Sequence, residues 1–364
     1  MVERAILLNP GPVTLSPRVR AALGRGDWCH REPEFAQLMQ DINARLAAVY
    51  PALAGFTAAT IAASGTGAVE AMLASFAPAD SATLVVANGV YGERMARMLK
   101  AQGKPHCVLE HDWVQAIDPA GIAKALEQPG KITHLAVVHL ETTTGRLNDL
   151  DMIGGLCRER GVTLLVDAVS SFGAERIEGA AWNLGALAAT ANKALHGAPG
   201  LSFVLASAAL WNRQPVPAAS LYLELHAYHA GQHDRGYSPF TLPVQIAFAL
   251  QEALVEHAEQ GGAPARLSTY RLRADRVRAA LLAGGVTPLL EDGAGSPVLA
   301  SWRLPAGCSY ESLHNALKAL GYVIYAGQGS LGPRIFRIAH MGDIRPEELD
   351  TLCEALTRLG RKRG

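Results

Sequence analysis

The chain has 364 residues, 49% of them hydrophobic and 18% charged, a mixture that can bury a large core and excludes a disordered chain. Lysine plus arginine equals aspartate plus glutamate at 33 each, so there is no overall basic field to draw nucleic acid or anionic lipid, and any bound anion must be held by a local site. A chain of this length suits two domains.

Met1-Val2-Glu3-Arg4-Ala5 leads straight into an Ile6-Leu7-Leu8 strand and a Pro10-Gly11-Pro12 turn, without the apolar stretch and cleavage site of a signal peptide. Short apolar runs at 83–87, 135–139 and 162–166 then read as buried strands, with helical spacing at 68–76, 91–102 and 150–160 between them. Repeated strand–helix alternation predicts an α/β fold with a mainly parallel central sheet flanked by helices, and ligands outside the carboxyl ends of its strands. The stretch 239–243 opens a long helix at 244–259, because Pro is tolerated at a helix start and not inside one. Gly261-Gly262-Ala263-Pro264 breaks it, and a second amphipathic helix follows at 266–283. Strands at 297–302, 322–325 and 334–338, with helices at 309–320 and 346–359, complete a smaller α+β unit. The boundary falls near residue 260, giving domains 1–260 and 261–364. Arg361-Lys362-Arg363 reads as a solvated tail.

Cys29, Cys107, Cys157, Cys308 and Cys353 are scattered and never form a CxxC pair, which predicts reduced thiols in a cytoplasmic protein. No window resembles a membrane span.

Chemistry concentrates at Leu164-Leu165-Val166-Asp167-Ala168 and Thr190-Ala191-Asn192-Lys193. Asp167 closes an apolar strand, where a ligand would be met, and Lys193 follows among small residues. Pyridoxal phosphate needs both types: an amine to form the Schiff base and a carboxylate to keep the pyridine nitrogen protonated. Taken alone, the pair reads as readily as a capping Asp and a solvent-facing Lys. Ser64-Gly65-Thr66-Gly67-Ala68-Val69-Glu70 adds a Gly-bearing loop entering a helix, whose free N–H groups and positive end suit a phosphate. Glu70 stands where a dinucleotide fingerprint has its third Gly. A true G-x-G-x-x-G at Gly327-Gln328-Gly329-Ser330-Leu331-Gly332 runs into a strand and not a helix, so it reads as a loop able to close over a substrate. Tyr91, in a turn after a strand, either stacks on a planar ligand or is a half-buried core residue. Arg337, inside an apolar strand, needs an anionic partner, either a substrate or a structural ion pair. His226, His229 and His233 share a helical spacing, yet no acid or Cys completes a metal set, and a structural or interface role is expected.

Together these motifs resemble the class V (fold type I) aminotransferases, and within them the 2-aminoethylphosphonate–pyruvate branch, over nearly the whole chain. The likeness runs through Asn9-Pro10-Gly11-Pro12-Val13-Thr14, Asp27-Trp28-Cys29, Ser64-Gly65-Thr66-Gly67, Ala87-Asn88-Gly89-Val90-Tyr91-Gly92, Glu141-Thr142-Thr143-Thr144-Gly145, Val166-Asp167-Ala168-Val169-Ser170-Ser171-Phe172-Gly173, Ala191-Asn192-Lys193 and Phe336-Arg337-Ile338. The resemblance implies the pyridoxal-phosphate transferase fold of type I with a small C-terminal α+β domain, and conversion of 2-aminoethylphosphonate and pyruvate to phosphonoacetaldehyde and L-alanine. It implies Lys193 as the Schiff-base lysine and proton carrier, and Asp167 as the partner of the pyridine nitrogen. Ser64, Gly65, Thr66 and Thr190 would lie at the cofactor phosphate, Tyr91 over the ring, and Thr144 near the phenolic oxygen. Arg337 would hold the substrate's anionic group. It also implies a homodimer in which Thr241 closes the neighbouring subunit's phosphate site. Two segments depart from the pattern. His30-Arg31-Glu32-Pro33-Glu34-Phe35 is closer to the alanine–glyoxylate branch, and Leu242-Pro243-Val244-Gln245 replaces the usual Ser-Pro-Thr-His after Thr241. An alanine- or serine–glyoxylate aminotransferase is therefore the alternative.

Overall fold

A computed structural model describes residues 4–127, 131–213 and 220–360. Residues 1–3 and the basic run Arg361-Lys362-Arg363 lie outside the described residues.

Seven strands form the main sheet, in the order Phe56–Ile61, Ser202–Ser207, Leu184–Thr190, Thr163–Asp167, Ile132–Val138, Ala82–Ala87, His106–Glu110. All pairings are parallel except the two made by Ser202–Ser207, which runs antiparallel to both neighbours. The runs read as strands in the sequence fall at the centre of this sheet. They are continuously apolar because both faces are covered. Leu84 and Val86, Leu135 and Val137, and Leu164 and Val166 pack with Met39, Ile42, Ile153 and Phe248 on one face. The intervening Val85, Ala136 and Leu165 pack with Met72, Leu73, Met95 and Leu99 on the other. Each fully buried Leu or Val of this kind contributes about 1.5–3 kcal/mol by leaving water.

The helices expected at 68–76, 91–102 and 150–160 occur as Gly65–Phe76, Val90–Ala101 and Leu150–Glu159. Gly65–Phe76 starts at Ser64, whose extended backbone and hydroxyl cap the Gly67 N–H at 3.4 Å. It stops at Ala77, because Pro78 disfavours the helical conformation in the residue before it. The buried Lys104 ammonium donates to Leu73, Ala74 and Ala77 carbonyls at 2.9, 2.6 and 2.5 Å, closing the carboxyl end of that helix.

Beyond Val244–Glu259, the next helix spans Gly262–Ala283, four residues longer at its start than the sequence pattern gives. Pro264 stays within its first turn, where no intrahelical N–H bond is lost. A three-stranded antiparallel sheet, in the order Leu299–Arg303, Ile335–Ala339, Tyr325–Ala326, packs with this helix and with Tyr310–Ala319 and Pro346–Thr357 around Trp302, Phe336 and Ile338. The single strand expected at 322–325 is divided at Ile324. Tyr322–Val323 pairs in parallel with the N-terminal strand Ile6–Leu7, while Tyr325–Ala326 joins the small sheet. Ile6 and Leu8 are accordingly buried in the core of the C-terminal unit. Among the described residues no helix is long and apolar enough to cross a membrane.

Candidate active site

Asp167 is the last residue of the central strand Thr163–Asp167 and is 6% exposed. Its carboxylate accepts the Val169 N–H at 3.0 Å, a bond that turns the chain away from the sheet. Burial pushes its pKa up from the ordinary 3.8 to about 6, against the opposing pull of the Val169 N–H and the Lys193 charge. Such a carboxylate is poised to accept a cationic partner.

The amino end of Gly65–Phe76 comes down beside this carboxylate. A Cβ on Gly65 would fall 2.7 Å from Val169 Cγ1 and 3.4 Å from Thr190 Cβ, so only glycine lets the helix start lie so close to both strand ends. The first N–H groups of a helix have no intrahelical acceptor, which leaves Gly65 and Thr66 facing outward with a partial positive charge. Ser64 is engaged as the helix cap, and the Thr190 hydroxyl donates to Asn192 Oδ1 at 2.8 Å. Arg94, which the sequence reading passed over, donates to Thr66 Oγ1 at 3.1 Å and lies over the Tyr91 ring at 4.7 Å. Its signal was the i,i+3 spacing from Tyr91 on one helix. Thr66, Tyr91, Arg94, Asp167 and Val169 line one cavity.

Lys193 is 9% exposed, with its Nζ 3.5 Å from Ser170 Oγ. Burial lowers its pKa from 10.5 to about 8, opposed by the attraction of Asp167 and assisted by the Arg337 charge. Its methylenes lie against the N-terminal turn. A Cβ on Gly11, which has φ +111°, would stand 2.7 Å from Lys193 Cδ and 2.9 Å from Cε. Pro10-Gly11-Pro12 announced a turn in the sequence, and nothing local said that it would cover the lysine. Behind Lys193, His196 adopts φ +62°. Its Nε2 contacts the Tyr270 hydroxyl at 2.6 Å and accepts the Gly342 N–H at 2.8 Å, tying the lysine turn to the C-terminal unit.

Glu141, which opens the Glu-Thr-Thr-Thr-Gly turn, is fully buried. It accepts the Thr143 hydroxyl at 2.6 Å, the Thr143 N–H at 3.2 Å and the Gly92 N–H at 3.4 Å. A Cβ on Gly89 would overlap its carboxyl carbon. This carboxylate fixes both the 141–145 turn and the start of the Tyr91 helix. Thr144 is buried in that turn, its hydroxyl accepting the Arg146 N–H at 3.3 Å. It borders a different hollow, with Gly145, Ser296 and Ser301, and is not among the residues lining the Asp167 cavity.

Arg337 is fully buried in Ile335–Ala339. Its Nε donates to Ala326 O at 2.8 Å, and NH1 donates to Thr142 O at 2.7 Å and Gln328 Oε1 at 3.3 Å. NH2 is buried with no acceptor among the described residues. The 327–332 loop is thus held against Arg337 and contains the short turn Gly329–Leu331, not a helix N-terminus for a dinucleotide. Thr241 is exposed, 3.3 Å from His30 Nε2, while Arg31 donates to Ser238 O at 2.8 Å. The first of the two segments that depart from the family pattern thus touches the chain just before the second. The three helix histidines are each engaged locally: His226 with Glu224, His229 with Thr57 and stacked on Trp211, and His233 with the Ala58 carbonyl.

A buried carboxylate, a lysine amine of lowered pKa, an aromatic wall and a glycine-started helix meet at the carboxyl edge of a mostly parallel sheet. That set fits pyridoxal phosphate, whose ring nitrogen, aldehyde, flat face and phosphate call for those four features, and it defines an enzyme of that cofactor class. The chain belongs to the class V aminotransferases, whose family model matches residues 21–282 and whose members use pyridoxal phosphate. It is 36% identical over 353 residues to the 2-aminoethylphosphonate–pyruvate transaminase of Syntrophobacter fumaroxidans, covering 96% of this chain and 95% of that protein. Among solved structures, an aspartate aminotransferase from Thermus thermophilus superposes with a TM-score of 0.89 at 26% identity, covering 98% of this chain and 99% of that one. The alanine–glyoxylate aminotransferase of Nostoc sp. gives 0.88 at 27% identity, covering 99% and 96%. Both share the type I fold described above.

Proposed function

We propose that this chain moves the amino group of 2-aminoethylphosphonate to pyruvate, yielding phosphonoacetaldehyde and L-alanine. The observation that carries the reading is the buried NH2 of Arg337, a cationic donor without an acceptor among the described residues, whose charge acts on Lys193. Donor and acceptor substrates each carry an anion, so one arginine serves both halves of the reaction. The names of the full-length relatives support the same substrate pair.

Pyridoxal phosphate, when bound, supplies an aldehyde that takes up amines and a ring that withdraws electrons from the neighbouring carbon. Lys193 Nζ takes the proton from the amine-bearing carbon of the donor and returns one on the acceptor side, general acid–base work suited to an amine with a pKa of about 8. Asp167 would hold positive charge on the ring nitrogen from a buried position fixed before reaction. Tyr91 and Val169 would cover the ring, while Gly65, Thr66 and Arg94 would meet the phosphate, with Ser64 and Thr190 shaping the two chain turns beside it. Thr144 acts through the turn it shares with Glu141.

The same proposal includes a cytoplasmic homodimer in which Thr241 reaches the neighbouring site, and a division near residue 260 with the Ile6–Leu7 strand packed on the small unit. Purified protein given 2-aminoethylphosphonate and pyruvate should form alanine, and absence of alanine with cofactor present would refute the substrate assignment. Alanine- or serine–glyoxylate transfer is the second reading, supported by the His30-Arg31-Glu32-Pro33-Glu34-Phe35 segment, which is closer to that branch. Glyoxylate outperforming pyruvate as acceptor would select it.

A further inference from the structure

We propose that Gln328 is a specificity-determining residue: it sets how much of the Arg337 fork the substrate's anion meets, and so selects a tetrahedral phosphonate over a planar carboxylate. The inference rests on the reading that Arg337 receives that anion.

A guanidinium carries five N–H donors. In Arg337, one is used on Ala326 O, one on Thr142 O and one on Gln328 Oε1. The remaining two belong to a single nitrogen, the buried NH2. Bidentate grip of a flat carboxylate needs parallel N–H groups from two nitrogens, and Thr142 O and Gln328 Oε1 together occupy both that NH1 offers. The Gln328 amide NH2, at the other end of the group whose oxygen meets Arg337, is a further donor. An incoming anion therefore meets two N–H groups of one arginine nitrogen and, beside them, the amide of a neutral side chain. Donors on separate groups can reach separate oxygens, and a phosphonate presents three where a carboxylate presents two. Being neutral, Gln328 accepts from Arg337 without cancelling its charge.

The placement is built into the fold. A Cβ on Gly327 would stand 2.6 Å from Leu331 O, and one on Gly329, at φ +52°, would stand 2.6 Å from Trp113 Cη2. Both flanking positions are thus packed without room for a side chain. Trp113 donates to Glu93 Oε1 at 3.1 Å, on the same helix as Tyr91. The Tyr325 ring lies 5.0 Å from the guanidinium and covers one face of it.

The test compares kcat/KM for 2-aminoethylphosphonate and for L-alanine as amino donors in the holoenzyme, in wild type, Gln328→Ala and Gln328→Glu, on protein of unchanged melting temperature. In Gln328→Ala the ratio of phosphonate to alanine kcat/KM should fall about tenfold, the worth of one hydrogen bond to a charged group. In Gln328→Glu a carboxylate fills the fork, and KM should rise about tenfold or more for both donors. A ratio within about twofold of wild type in Gln328→Ala would overturn the role of Gln328, even where Gln328→Glu weakens both donors and so upholds Arg337. Wild-type enzyme that turns over alanine and leaves the phosphonate untouched would overturn the functional reading and this inference with it.

Discussion

Asp167→Asn removes a charge from a buried strand end while keeping the side-chain oxygen that accepts the Val169 N–H. In the cofactor-free protein that charge is a burden, since burial raises the carboxyl pKa from 3.8 to about 6. At about 1.4 kcal/mol per unit, ionised Asp167 costs the native state about 3 kcal/mol at pH 7.5. Below pH 3.8 the carboxyl is protonated in both states and the cost vanishes. Between pH 3.8 and 6 the native protein holds more protons than the unfolded chain, so native stability falls as pH rises, and it levels off above pH 6. Cofactor-free Asp167→Asn should therefore be about 3 kcal/mol more stable than wild type at pH 7.5, with the gap about halved at pH 5. With cofactor added, the order of merit reverses: the amide cannot hold a positive ring nitrogen, and turnover should drop at least about a hundredfold. Urea unfolding of both cofactor-free proteins at the two pH values, followed by circular dichroism, measures the gap. A variant less stable than wild type at pH 7.5, or a gap that ignores pH, would refute the reasoning.

Lys193→Ala should abolish transamination while the far-ultraviolet circular dichroism and melting temperature stay at or above wild type, since a buried amine is removed. Loss of the fold would argue that Lys193 is structural. Uptake of pyridoxal phosphate by the cofactor-free protein requires the neutral amine, so its rate should climb as pH rises toward about 8 and flatten above it. Stopped-flow absorbance gives the profile, and a midpoint near 10.5 would show that burial does not shift the lysine. Gly11→Ala forces a side chain into φ +111° and against the Lys193 methylenes. It should destabilise the protein by more than about 1 kcal/mol and lower kcat, whereas Ala at Gly26, which has no neighbour within 4 Å, should spare kcat.

Much of the site was legible in the chain because its parts are local. Leu-Leu-Val before Asp167 declares a strand buried on both faces, and Ser64 before a Gly-Thr-Gly helix start declares a cap with free N–H groups. Such signals depend on backbone sterics and periodicity over a few residues. Leu184–Thr190 carried no such signal: Leu-Gly-Ala-Leu-Ala-Ala-Thr has weak strand preference, and only its place between Thr163–Asp167 and Ser202–Ser207 makes it one. The same holds for Ile6–Leu7, a two-residue strand that exists because Tyr322–Val323 lies beside it.

By itself, then, the sequence determined the α/β class, the strand that ends at Asp167 and the Ser64-capped helix start at Gly65. Tertiary structure alone decided that Gly11 covers Lys193, that Glu141 ties the Tyr91 helix to the 141–145 turn, that Thr144 borders another hollow, and that Gln328 takes one arm of Arg337. Gly11 and Lys193, like Thr144 and Ser296, come from segments more than a hundred residues apart, Glu141 and Gly92 lie 49 residues apart, and even Gln328 and Arg337, nine apart, meet only because the loop between them folds back. Their geometry is fixed by how whole layers pack, and no local pattern of residues encodes it.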